Sequence, residues 1–347
     1  MNKVRNKERK DLKEMHELSV RMNRVFGKEK LELLLKVVEQ GDKEISIYES
    51  GIEGLIEYLS EKYKVPNTCR FLPIPEYFVT LEGKKSQEHS HCKILISKNV
   101  RYDGYHGGVH DGDGLDYPHA VVAIAALARL HAISYCYTRE KKTDVKIWCR
   151  STDTSSNSLD KKDTVFQLFK QHPEFHLYSH LFLGQETNLF NAECNLNTFG
   201  VLCHGGKFGE SVLFKYAANN QAEEEPTDAV FQNLGNCHYG SCIQDLLLLI
   251  FSCINQDIRR NFLLEFIGTV YYDAFSSAVM SIDKNISMFD KQLFSAEVKK
   301  LSVASGVYTV ENGYHQHKQE RRKSLREQDN VLGTFRDVLK IIKSDGF

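Results

Sequence analysis

Val201-Leu202-Cys203-His204-Gly205-Gly206-Lys207-Phe208-Gly209-Glu210-Ser211-Val212-Leu213-Phe214-Lys215-Tyr216 lies within a β-prone segment, residues 199–216. A second β-prone segment comes at 227–233, and the Asn, Gln and Glu of 217–226 suit an exposed loop between the two. Downstream, the pattern is helical from Ile243 nearly to the end, most strongly over 246–254 and 262–275. Upstream, a polar Ser/Thr/Asp-rich connection at 151–163 precedes helical patterns around 165–169 and 175–182.

The first third has a different texture. Two β-prone runs, 17–25 and 30–38, flank Phe26-Gly27-Lys28-Glu29 and read as a hairpin. From 43 to 63, Ile45, Ile47, Tyr48, Ile52, Leu55, Ile56 and Leu59 recur at helical spacing, and the helix is expected to end before Pro66. Strand-like runs at 77–81 and 92–96 suggest a second hairpin. After the Gly-rich loop 104–114, Asp116 reads as an N-cap and Pro118 as a first-turn proline for a helix reaching His131. No internal repeat is present, and the sum is α+β: a charged segment 1–16, a small sheet-and-helix lobe 17–97 and a larger, mainly helical lobe 98–347.

Composition narrows the function classes. With 45 Lys+Arg against 46 Asp+Glu over 347 residues, the net charge of −1 gives no electrostatic reason to expect nucleic acid or an anionic membrane. The basic stretch 3–13 is diluted by Glu8, Asp11 and Glu14 and reads as a solvated face. Apolar runs such as 121–128 and 246–251 fall short of a bilayer span, and no apolar leader opens the chain. Nine cysteines, an odd number, fit reduced thiols, so the expected location is the cytoplasm.

Several clusters invite a metal. The pairs His91-Cys92, Cys203-His204 and Cys237-His238 with Cys242 lack the ligand spacing of a zinc site, apart from the approach of Cys237 to Cys242, and are expected to be packing residues. Asp111-Gly112-Asp113-Gly114 lacks the later ligands of a calcium loop and reads as a turn. No Ser-His-Asp, Cys-His or Gly-x-Ser-x-Gly pattern supports hydrolase chemistry.

Three segments carry a resemblance. Leu127-Ala128-Arg129-Leu130-His131-Ala132-Ile133-Ser134 is similar to a Leu-Ala-x-x-His-Ala-x-Ser helix, 201–216 to a catalytic loop of the form V-L-x-H-G-D-x-W-x-x-N-x-L-F, and Ala229-Val230-Phe231-Gln232 through Asp245-Leu246 to a metal-binding I-D-F-Q strand and the Asp-Leu helix start after it. In this order they resemble the ecdysteroid kinase-like (choline-kinase-like) family of the protein-kinase-like, aminoglycoside phosphotransferase-like superfamily, which phosphorylates hydroxyls of small molecules. The resemblance implies a bilobal fold with an antiparallel-sheet N-lobe and a helical C-lobe. It further implies that Lys36 stands where the family holds the α/β-phosphates, that Glu44 is its helix partner, that His204 belongs to the catalytic-loop motif and that Asp245 steadies that loop. On the residues alone, Lys36 reads rather as an exposed lysine ending an edge strand and Glu44 as a helix-start glutamate.

Phosphoryl transfer needs Mg²⁺ on the nucleotide phosphates and a carboxylate to orient the attacking hydroxyl. By the resemblance, the catalytic aspartate falls on Gly206, the metal-binding asparagine on Ser211 and the second metal-binding aspartate on Val230. No G-x-G-x-x-G occurs, the chain opens close to the family's second strand, and 94–99 lacks the acidic pair of the family's hinge. Asp228, two residues before Val230 and on the same strand face, is the fallback metal ligand, and Glu210, beside Ser211, is a second acid that could substitute. The expectation is a pseudokinase-like protein that needs no cofactor and binds a small hydroxylated, apolar, steroid-like molecule between its lobes. The alternative is an ATP- and Mg²⁺-dependent small-molecule kinase using displaced carboxylates. A non-functional product of a duplicated gene is a third reading.

Overall fold

A computed structural model describes residues 18–23, 30–39, 43–64, 71–84, 91–107, 114–141, 179–182, 195–206, 208–216, 225–318 and 325–346. Strands β1 (Leu18–Asn23) and β2 (Lys30–Glu39) form the expected hairpin, and β3 (Tyr77–Lys84) and β4 (His91–Lys98) form the second. They join into one antiparallel sheet in the order β1-β2-β4-β3. Lys36 pairs with Leu95 of β4, so β2 is an inner strand. The edge-strand reading of Lys36 is thereby corrected.

Helix α1 comes next as Lys43–Ser46, a π-helical turn Ile47–Ile52 and Glu53–Tyr63. Its apolar stripe, Ile45, Ile47, Tyr48, Ile52, Leu55 and Leu59, is buried as the periodicity predicts. Lys64 ends it in the left-handed conformation, φ 52°, two residues before Pro66. The last turns of α1 are held to α2 (Tyr117–Lys141) of the larger lobe: Tyr58 donates to Glu140, and Lys62 bridges Glu140 and Asp283 at 2.7 Å each.

Helix α2 is the axis of that lobe. Asp116 caps it by accepting from the His119 N–H at 3.1 Å, as expected, and the helix runs ten residues beyond His131. By length and composition it is apolar enough to cross a bilayer, which the separate apolar runs do not indicate; 72% of its apolar window is buried inside the protein, as in a core helix.

The β-prone stretch 199–216 is two strands rather than one. Strand β6 (Gly200–Cys203) pairs with β9 (His238–Ser241), and β7 (Val212–Tyr216) lies between β5 (Tyr105–Gly107) and β8 (Pro226–Phe231). The chain breaks between β6 and β7 because Gly205 and Gly206 have φ of +87° and +92°. A Cβ on Gly205 would stand 2.1 Å from the Asn236 carbonyl oxygen, so only glycine fits. Strand β8 stops at Phe231, two residues earlier than its composition suggests, because Asn233 turns left-handed at φ 62°.

The remainder is helical: α3 (Cys242–Cys253), the composite α4 (Gln256–Glu265, a π-turn Phe266–Tyr271, Tyr272–Ile282), α5 (Lys291–Lys318) and α6 (Leu325–Lys343). Arg259 of α4 pairs with Asp337 of α6 at 2.8 Å and donates to the Phe251 and Ile254 carbonyls, fastening the last helix to the end of α3. Five cysteines, 136, 203, 237, 242 and 253, are free thiols buried in this lobe. Residues 151–163, 165–169 and 111–113 lie outside the described residues; of 175–182, only Ser179–Phe182 is described, and it is helical.

The architecture is therefore α+β and bilobal, a small antiparallel sheet with one main helix set against a larger helical lobe.

Candidate functional site

Glu44 opens α1 and is only 4% exposed, so its charge needs partners. Lys36 Nζ lies 2.6 Å from its Oε2, and the Leu234 N–H donates to its Oε1 at 3.1 Å. The left-handed turn at Asn233 brings that side chain's Oδ1 to 3.4 Å from Lys36 Nζ. One ion pair thus joins the N-lobe sheet, α1 and the loop after β8. Glu44 is a helix-start glutamate and also the buried half of this bridge.

The loop after β6 rests on a second, fully buried constellation. Asp245, in the first turn of α3, accepts from the His204 N–H at 2.7 Å and from the Gly205 N–H at 3.0 Å. His131 of α2 lies between Asp245 (Nε2 to Oδ2, 3.1 Å) and the Tyr271 hydroxyl (Nδ1 to Oη, 2.8 Å). Three residues on, Ser134 donates to the His131 carbonyl and accepts from the Leu202 N–H at 3.0 Å. The spacing of His131 and Ser134 places both on the α2 face that holds β6 and the glycine pair.

Burial opposes ionisation of Asp245, but the hydrogen bond from His131 and the charges of His131, His204 and His238 outweigh it and hold its carboxyl below the usual range. His204 stacks on Phe208 with ring centroids 4.8 Å apart and places Nε2 3.0 Å from the Gln232 carbonyl. Burial dominates its protonation and moves the imidazole below its ordinary value, despite Asp245 nearby. Its Nδ1 has no hydrogen-bond partner among the described residues.

The positions at which the resemblance expects the catalytic and metal-binding groups look different. Gly206 has no side chain. Ser211 is buried; its backbone carbonyl accepts from the Gln232 N–H at 2.8 Å and its N–H donates to the Phe208 carbonyl. Val230, 5% exposed, forms a small apolar cluster with Val100 and Leu213, against which Tyr105 packs. Asp228 shares the Val230 side of β8, but Arg129 donates to its Oδ1 at 3.0 Å and the Tyr105 hydroxyl to its Oδ2 at 2.7 Å. Burial, then that hydrogen bond, push the Tyr105 phenol up, so it stays protonated and donating. Both oxygens of the fallback carboxylate are occupied, one by a cation.

Among the described residues, His131, Cys203 and Asp245 offer ligand atoms within 4.8 Å of one another, all buried. This is not one of the Cys/His pairs that the sequence brings forward. Asp245 already accepts from two backbone N–H groups and His131, and Cys203 Sγ lies 3.5 Å from the Ser241 carbonyl, so the group functions as a brace. Cys237 and Cys242 are buried packing residues, as expected, and the His91 and Cys92 side chains lie outside the described ones.

Arg129, Tyr105 and Asn233 are not singled out by the sequence. Arg129 occupies a free position of the α2 motif, Tyr105 opens β5 within the segment 104–114 that the sequence reads as a Gly-rich loop, and Asn233 comes just after the strand motif; none carries a local signal that it will meet Asp228 or Lys36.

Residues 3–283 match the model of the ecdysteroid kinase-like family. No curated protein matches the chain. Similar solved structures include an amicoumacin kinase in complex with AMP-PNP, Ca²⁺ and its ligand, at 12% identity, covering 99% of this chain and 96% of that one, with a TM-score of 0.48. An aminoglycoside phosphotransferase from Alicyclobacillus acidocaldarius is 10% identical, covering 94% and 92%, with a TM-score of 0.46. A choline kinase from Streptococcus pneumoniae is 10% identical, covering 98% and 99%, with a TM-score of 0.33.

Proposed function

This chain belongs to the ecdysteroid kinase-like family and is a small-molecule kinase-like protein, and from that premise we propose that it is a pseudokinase-like member, a binding or scaffolding protein with little or no phosphotransferase activity. The observation that carries the reading is Val230. A branched apolar side chain, packed with Val100 and Leu213, stands at the position that matches the family's second metal-binding aspartate. A hard cation takes oxygen ligands, and neither Val230 nor Gly206 supplies one from its side chain. The residues present do not fit Mg²⁺, and the Arg129 guanidinium on Asp228 opposes a divalent cation there as well.

In this reading Lys36, Glu44 and His204 are the vestige of a nucleotide site, with Lys36 and Glu44 held as a pair by α1 and the loop after β8. The ligand is a small hydroxylated, apolar molecule of the kind the family acts on, bound between the lobes, and the protein works in the cytoplasm without a cofactor.

A second reading, an ATP-dependent kinase for a small-molecule hydroxyl, is favoured by the intact Lys36–Glu44 bridge and by the Asp245 brace. It requires Asp228 to leave Arg129 and Tyr105. Thermal unfolding with and without ATP and Mg²⁺ separates the two, since a ligand at about 100 times its Kd adds roughly 2.7 kcal/mol. The pseudokinase reading expects no Mg²⁺-dependent shift. A shift with ATP that requires Mg²⁺ favours the second.

A further inference from the structure

Asp116, His119 and Tyr216 belong to neither the ion pair nor the loop brace. Asp116 caps α2, His119 stands in its first turn, and Tyr216 is the last residue of β7. His119 Nδ1 is 2.6 Å from Asp116 Oδ1, and its Nε2 is 3.0 Å from the Tyr216 hydroxyl. The edge-on ring of Phe214, 4.8 Å away, fixes the imidazole plane. A carboxylate on Nδ1 makes that nitrogen the N–H donor, which turns the Nε2 lone pair toward the phenol and lets Tyr216 donate to it. Hydroxyl, base and orienting carboxylate in that order are the arrangement of an activated nucleophile.

The neighbouring phenol on the same sheet shows that packing alone does not demand it. Tyr105 donates directly to the Asp228 carboxylate, with no base between them. The His119 side chain is 14% exposed and Asp116 60%, while Tyr216 is partly buried, so the base is sheltered at a surface that reagents reach.

We propose that Tyr216 is a primed nucleophile, with His119 as its base and Asp116 orienting that base, and that it accepts a group from an activated acid derivative carrying a leaving group. In the step, Tyr216 Oη bonds to the acyl carbon or sulfonyl sulfur, the phenolic proton passes to His119 Nε2, and the leaving group departs with the electron pair of its former bond. No oxidant, reductant or metal is needed.

An aryl sulfonyl fluoride tests this on the full chain, because the O–S bond forms as S–F breaks and fluoride leaves. Peptide mapping by mass spectrometry is expected to show Tyr216 labelled about 10² times faster than Tyr102 or Tyr105. His119→Gln should bring that rate down to theirs. Asp116→Asn should slow it while keeping the helix cap, since asparagine caps as well as aspartate. Equal labelling of the three tyrosines, or an undiminished rate in His119→Gln, overturns the proposal. If His119→Gln does not fold, the unaltered chain decides. Among the described residues, Asp116 and Tyr216 are the titratable groups facing His119, and base assistance makes the Tyr216 rate level off well below pH ~10, where model phenols ionise. A rate that keeps climbing to that pH overturns the proposal.

Discussion

Lys36 Nζ and Glu44 Oε2 stand 2.6 Å apart, eight residues apart in sequence, and the Leu234 N–H closes the bridge on the other carboxylate oxygen. Removing Lys36 takes a cation away from a buried carboxylate. Lys36→Met is therefore expected to cost about 1–3 kcal/mol, and Glu44→Gln, which keeps hydrogen-bonding capacity, less. Urea unfolding of both singles and the double variant measures the coupling; additive losses would mean that the pair does not act as a unit.

Acid should unfold this protein in two stages. The His204 imidazole is held below its unfolded value, so its contribution is complete above about pH 6.5 and is lost as pH falls from there toward the lower folded value. The Asp245 carboxyl is also held low, so its contribution is complete above about pH 3.9 and disappears as pH falls through its folded value. His204→Gln should flatten the upper stage alone in a series of unfolding curves. Asp245→Asn should flatten the lower one and cost about 2–3 kcal/mol at neutral pH.

An aspartate at Gly206 is sterically open, since the nearest heavy atom to a new Cβ is Leu248 Cδ1 at 3.9 Å. The backbone opposes it, because φ +92° is unfavourable for an L side chain. Gly206→Asp is expected to cost about 1–2 kcal/mol and to yield no ATP turnover. Turnover in this single variant would show that the metal is held without position 230.

Val230→Asp places a charge among Val100, Leu213 and Tyr105. The expected loss is about 3 kcal/mol or more at neutral pH, with no relief from Mg²⁺ in a thermal melt. Relief by Mg²⁺ would locate a cation site there after all.

A buried ion pair, Arg259 with Asp337, helps fasten the C-terminal helix. Burial pushes the Asp337 carboxyl up even against the Arg259 guanidinium, a sign of how far the pair is removed from water. Asp337→Ala strands Arg259 and should cost about 3–5 kcal/mol, whereas Arg259→Met with Asp337→Leu should recover most of it. Equal losses in the single and double variants would contradict this account.

The sequence by itself determined the features that local pattern encodes. Alternation and turn residues locate the two hairpins, the 3.6-residue stripe from Ile45 to Leu59 locates α1, and Asp116 with Pro118 starts α2. Residue type alone also establishes that Gly206 and Val230 offer no side-chain oxygen. Only tertiary structure decided how the pieces meet. The break at 205–206 brings Gly205 to where a Cβ would meet the Asn236 carbonyl oxygen, a close approach that no local propensity encodes. Lys36 became half of a part-buried bridge because α1 brings Glu44 to its ammonium, and the Asp228 carboxylate is occupied because Arg129, 99 residues away, reaches it. Charges choose partners through space. A chain's pattern specifies its elements, and long-range contacts specify which of its ionisable groups are already occupied.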